Sequence, residues 1–243
     1  MTEILTQIVP AVIAAGLAII LHELAHGYVA LALGDNTARL AGRLSLNPLR
    51  HVDRVGTILL PGFLLVSQLL LFHRVLFMFG WAKPVPVGPL KVRDPRRGMA
   101  LVAAAGPAMN FFLAWVGALL MPLPTTPLPP NLDPLDVVVG QHPVIGTFLF
   151  FFMLTNLVLG LFNLIPIPPL DGGRIAVGLL PLPLAMRWAR LERAGIVVVV
   201  LVVFLLPLLL AQFGITFDPF QAALETIIPW AFHVLFVLAG HAS

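Results

Sequence analysis

The chain has 243 residues, 59% of them hydrophobic and 10% charged, with a mean hydropathy of +1.00. Soluble domains carry roughly 25% charged and 45–50% apolar residues, so this composition excludes a water-facing globule and predicts an integral, multi-pass protein whose solvent is the lipid bilayer. The absence of cysteine excludes disulfides and thiolate metal sites, and the 14 Lys and Arg behind the net charge of +3 fall mostly in short connections, where membrane orientation explains them better than nucleic acid does.

Six apolar blocks follow one another at about 8–33, 55–79, 99–122, 143–165, 194–213 and 220–240, each reaching or approaching the roughly 20 residues a helix needs to cross hydrocarbon. Glu3 replaces a positive n-region, so no cleaved signal peptide is expected. With no internal repeat and no long polar segment, 1–243 reads as a single membrane-embedded domain of all-α polytopic class.

In the first block lies LHELAHGYVALALGD (21–35). On a helix His22 and His26 share a face, and Glu23 projects beside them. Unpaired, each charged group inside such a run would cost about 2.5–3.5 kcal/mol. The bland reading is a pair of interfacial histidines with a snorkelling glutamate. The sharper one is HExxH, two zinc-ligating imidazoles plus a carboxylate placed to take a proton from water.

The connection that follows holds Arg39, Arg43, Arg50 and Arg54. Within it LAGRLSLNP (40–48) alternates as a half-buried strand does, and His51 and Asp53 read as a solvated cluster at the membrane surface. The 55–79 block has basic flanks at both ends and is interrupted by Pro61-Gly62 and His73-Arg74. It is expected to be a re-entrant or broken helix that enters and leaves on one side. GWAKPVPVG (80–88) suits an edge strand. With 40–48 it predicts a small membrane-associated β-sheet beside a wet cavity, whose edge can pair with an unwound substrate segment.

The 80–98 and 166–193 loops are strongly positive, whereas 123–142 carries only Asp133 and Asp136. Blocks 99–122 and 143–165 therefore run outward and back toward the cytoplasm. After the latter comes NLIPIPPLDGGRI (163–175), in which prolines stop the helix and Gly172-Gly173 allows close approach. Its Asp171 is equally a third metal ligand or the N-cap of a short helix. Asn110 and Asn163 either serve a reaction or bridge helices by hydrogen bonds. The functional reading is preferred for Asn163 and the structural one for Asn110. Arg174 reads as an interfacial anchor.

HELAH, AGPAMN (105–110) and NLIPIPPLDGG together resemble the site-2 protease family of intramembrane zinc metalloproteases, over roughly residues 15–180. The resemblance implies one zinc ion on His22, His26 and Asp171, Glu23 as catalytic base and Asn163 assisting at the active site. It also implies a metalloendopeptidase that cleaves transmembrane protein substrates in or near their membrane segments, with the active site toward the cytoplasmic side. This chain has room for neither the PDZ nor the CBS modules that members often carry. The rival classes are an ion-binding membrane transporter and a non-catalytic scaffold. Substrate identity and oligomeric state are not readable.

Overall fold

The computed structural model describes residues 2–73, 80–122, 143–191, 195, 201, 205–214 and 218–241. Four helices among them contain stretches long and apolar enough to cross a membrane: Gln7–Ala32, Pro95–Leu120, Val144–Asn163 and Gln221–Leu238. Each lies within a longer or equal helix: α1 (Thr2–Ala32), α4 (Pro95–Leu120), α5 (Pro143–Asn163) and α9 (Pro219–Leu238). Between and after them come α2 (Thr37–Leu40), α3 (Leu60–Phe72), α6 (Asp171–Leu179), α7 (Leu182–Arg190) and α8 (Leu206–Gln212). Local chemistry sets the ends. Gly34, at φ +87°, turns the chain out of α1, a conformation that suits glycine. Asp94 caps α4 by accepting from the amides of Arg96 and Arg97 at 3.1 and 3.2 Å, with Pro95 at the first helical position.

Helices α1, α4 and α5 pack pairwise against one another, and α6 lies against α4. Where lipid is as apolar as the side chains, helices associate through close packing of small residues. Ala114, Gly117 and Ala118 supply that surface on α4: a Cβ at Gly117 would lie 2.7 Å from Met153 of α5. Met153 and Leu157 are fully buried there, and α9 closes the cluster with Ala231, Phe232 and Leu235. Leu101, Phe112, Leu120, Val144 and Ile145 face outward, as a lipid-facing surface requires.

The six expected blocks are thus corrected to four spans among the described residues. The 55–79 block forms a π-helical turn, Arg54–Leu59, that runs into α3. Its apolar part, Arg54–Leu70, rises about 26 Å, short of a hydrocarbon core of about 30 Å. His73, at φ +55°, ends it. Residues 74–79, the 123–142 loop and, within the 194–213 block, 194, 196–200 and 202–204 lie outside the described residues.

The expected β-sheet is also corrected, since the described residues contain no strand. Residues 40–48 form a turn through Gly42, at φ +64°, and a helical turn follows at Pro48–Arg50. Residues 80–91 are extended, but their amides are used elsewhere. Trp81 donates to the Gly56 carbonyl at 3.1 Å, Lys83 to His51 at 2.8 Å and Lys91 to Leu33 at 3.1 Å. Val85 donates to Glu23 Oε2 at 2.8 Å, and Gly88 to Asp35 Oδ2 at 2.6 Å. The Arg43 guanidinium holds the carbonyls of Lys83 and Pro84. Pro84, Pro86 and Pro89 have no amide hydrogen to offer a second strand. The segment is a strap sutured across the end of α1.

Burial pushes the Asp35 carboxyl up, but hydrogen bonds from the Thr37 hydroxyl and the Thr37 and Gly88 amides hold it below the usual value of 3.8. Because the folded value is the lower one, this contribution is complete above about pH 4 and is lost as pH falls through the folded value. Hydrogen-exchange protection of the Gly88 amide is expected to be flat above pH 4 and to decline only in more acid solution. A decline centred between pH 5 and 7 would contradict this.

Candidate metal centre

The HELAH helix delivers two imidazoles to one point. His22 and His26 are both buried, with relative exposures of 5% and 8%. Their rings meet edge-on, with centroids 4.6 Å apart and planes at 89°. Asp171 arrives from the far end of α5. After Asn163 the proline-rich turn at 164–170 doubles back, and α6 begins at Asp171 itself, with Leu170 in the capping position. Gly172 and Gly173 make the reversal possible. A Cβ on either would collide with backbone of the turn, at Leu164–Ile165 or at Ile167–Pro168.

Three ligand atoms then form a nearly equilateral triangle. His22 Nε2 and His26 Nε2 are 3.1 Å apart, and each lies 3.2 Å from Asp171 Oδ2. Tetrahedral zinc with bonds of 2.0–2.1 Å separates its ligand atoms by about 3.3 Å, so the triangle matches one face of such a tetrahedron. The donor chemistry fits as well. His22 Nδ1 lies 2.6 Å from Asn110 Oδ1, and His26 Nδ1 lies 2.7 Å from the Val102 carbonyl oxygen. Both acceptors require Nδ1–H, so both Nε2 lone pairs point into the triangle. Asp171 Oδ2, buried there, has no hydrogen-bond donor of its own. A cation completes what these acceptors lack. Space is reserved for it by Gly106 of α4, where a Cβ would strike both imidazoles.

Asn110, preferred from sequence as structural, orients the His22 imidazole as well as bridging helices. It is fully buried and donates through Nδ2 to Asn156 Oδ1 at 2.8 Å. Asn156 in turn donates to the Phe152 carbonyl at 2.8 Å. The sequence reading passed over Asn156, although a polar residue in the middle of the 143–165 block is itself a signal. Glu23 and Asn163 line the same cavity as the triangle, a space of about 540 Å³ that also meets Trp81, Val85, Val87 and Arg174. Asn163 Nδ2 donates to the Leu159 carbonyl at 3.0 Å. His51 and Asp53 are not a solvated cluster. His51 is 3% exposed and contacts the Ser45 carbonyl, while Asp53 caps the turn at Val55 and Gly56.

Replacing Asn110 with leucine leaves the His22 imidazole without its orienting acceptor. Zinc affinity is expected to fall roughly 10–100-fold, read by competition with a chromogenic chelator. Gly106→Ala, which places a methyl against both rings, is expected to lower the zinc content measured on purified protein while helical circular dichroism is retained.

Residues 10–208 match peptidase family M50. The chain is 39% identical over 188 residues to "Putative zinc metalloprotease YwhC" of Bacillus subtilis (strain 168), covering 77% of this chain and 76% of that protein. It is 32% identical over 153 residues to "Putative zinc metalloprotease Rip2" of Mycobacterium tuberculosis, covering 63% of this chain and 50% of that protein. The corresponding protein of Mycolicibacterium smegmatis is 31% identical over 155 residues. No solved structure matches the chain. A family match over most of the length, spanning the histidine pair and the aspartate, places this chain in peptidase family M50, the site-2 protease family of zinc-dependent metalloproteases.

Proposed function

We propose that this chain is an intramembrane metalloendopeptidase that hydrolyses peptide bonds in or near the transmembrane segments of membrane proteins. The observation that carries the reading is the acceptor triangle of His22, His26 and Asp171, set in a membrane-depth cavity with Glu23 on the same helix. In this reading the three residues are the ligands of one zinc ion. When bound, zinc supplies Lewis-acid polarisation of a carbonyl and an acidified water.

The remaining work falls to the chain. Glu23 Oε2 is held by the Val85 amide, so Oε1 is left to accept the proton of the attacking water and return it to the leaving amine. An asparagine amide has two donors. One of those on Asn163 goes to Leu159, and the second serves to hold the substrate carbonyl. The exposed apolar helix faces and the half-open cavity favour a substrate that arrives laterally and unwinds locally.

Chain direction and charge support a cytoplasmic side for the active site. It lies where α1 ends, α4 begins and α5 gives way to α6. That end carries Arg39, Arg43, Arg50, Lys83, Lys91, Arg93, Arg96, Arg97, Arg174, Arg187 and Arg190, and such residues favour the cytoplasm.

The test uses purified protein in liposomes with a fluorescent reporter built on a model transmembrane segment. Glu23→Gln is expected to lower kcat about 10²–10⁴-fold with zinc still bound. Chelation is expected to abolish cleavage, and zinc to restore it. Cleavage that survives Glu23→Gln undiminished would refute the assignment.

A further inference from the structure

Two carboxylates of the α1 end grip one extended segment. Glu23 takes the Val85 amide at 2.8 Å. Twelve residues on, Asp35 takes the Gly88 amide at 2.6 Å. Asp35 is only 4% exposed, and both of its oxygens are committed. Oδ1 accepts from the Thr37 amide at 2.9 Å and the Thr37 hydroxyl at 2.5 Å, while Oδ2 takes the strap. Gly88 is what admits the carboxylate: a Cβ there would lie 3.1 Å from Asp35 Oδ1 and collide with the Thr37 hydroxyl. Between the two grips stands Pro86, whose fixed φ limits how far Val85 can move once Gly88 is anchored.

We infer that Asp35 is a positioning residue for the proposed hydrolysis: by latching the strap at Gly88 it fixes the Val85 amide, which in turn fixes the carboxylate of Glu23. This rests on the protease reading given above. Glutamate has three side-chain torsions, and the Val85 amide is the anchor that selects one direction for its head group. With Gly88 released, the strap keeps Val85 near the site but not at a fixed distance. A misplacement of about 1 Å at a reacting group costs on the order of 10²-fold in rate. The four residues Glu23, Asp35, Val85 and Gly88 therefore act as one device, although only Glu23 touches the reacting atoms.

The test is a double-substitution cycle in the full chain, assayed in liposomes with the same transmembrane reporter. Asp35→Ala is expected to lower kcat between 10- and 100-fold with zinc content at the wild-type level. Asp35→Asn, which keeps one acceptor oxygen, is expected to fall in between. Val85→Pro removes the amide that Glu23 accepts from and is expected to lower kcat comparably. In that background Asp35→Ala should add less than about threefold, because residues acting through one contact are not additive.

Independent losses that multiply would overturn the proposal and leave Asp35 a stability residue, as would an Asp35→Ala protein that cleaves as fast as wild type or faster. Hydrogen exchange gives a readout apart from activity: protection of the 83–88 amides should fall at least tenfold in Asp35→Ala. Unchanged protection overturns the latch itself. A wild type that binds zinc yet cleaves no membrane segment overturns the protease reading, and with it any role for Asp35 in turnover, while the exchange result still reports on the latch.

Discussion

Three acceptors that face one another, with no donor between them, are the constraint on which this molecule depends. Two imidazole lone pairs and a carboxylate oxygen, each about 3.2 Å or less from the others, repel unless something positive lies at their centre. At membrane depth water cannot relieve that repulsion cheaply. The surrounding structure nonetheless enforces it. Asn110 and the Val102 carbonyl hold the rings so that both Nε2 atoms point inward, and the α5–α6 turn presses Asp171 against them.

Polar side chains inside lipid do two jobs here. The run His22–Asn110–Asn156–Phe152 crosses from α1 through α4 to α5, satisfying each buried amide and joining the three core helices at one level. Interhelical hydrogen bonds of this kind contribute modestly to association, about 0.6 kcal/mol on average. Their larger effect is directional. The bonds that hold the helices in register also set the tautomer of His22.

Function and topology meet at one end of the bundle. Because α1 and α5 run together and α4 runs against them, the end of α1, the start of α4 and the start of α6 share a level, and the basic connections gather there. The strap closes that level without forming a sheet. Its amides serve the end of α1, two carboxylates, the His51 carbonyl and the Gly56 carbonyl of the π-helical turn, so it lines the cavity as a fixed wall.

Composition and spacing alone determined that this chain lives in lipid, that His22 and His26 share a helical face, and that Asp171 follows a helix broken by prolines. These are local properties: an i, i+4 interval and a proline act through the backbone nearest to them. Only the tertiary structure decided that the aspartate oxygen meets both imidazoles rather than capping a helix, because that depends on an approach across some 145 residues of chain. It also decided that 80–88 forms a strap. Alternation marks a segment as extended, but the acceptors that take its amides come from Gly56, His51, Glu23 and Asp35, which no local pattern could name. The 55–79 block shows a related limit, since apolar length measures how greasy a segment is and not where its helix stops. Asn110 and Asn156 show the same limit, for an asparagine in a greasy helix advertises a bond, and only packing supplies the partner.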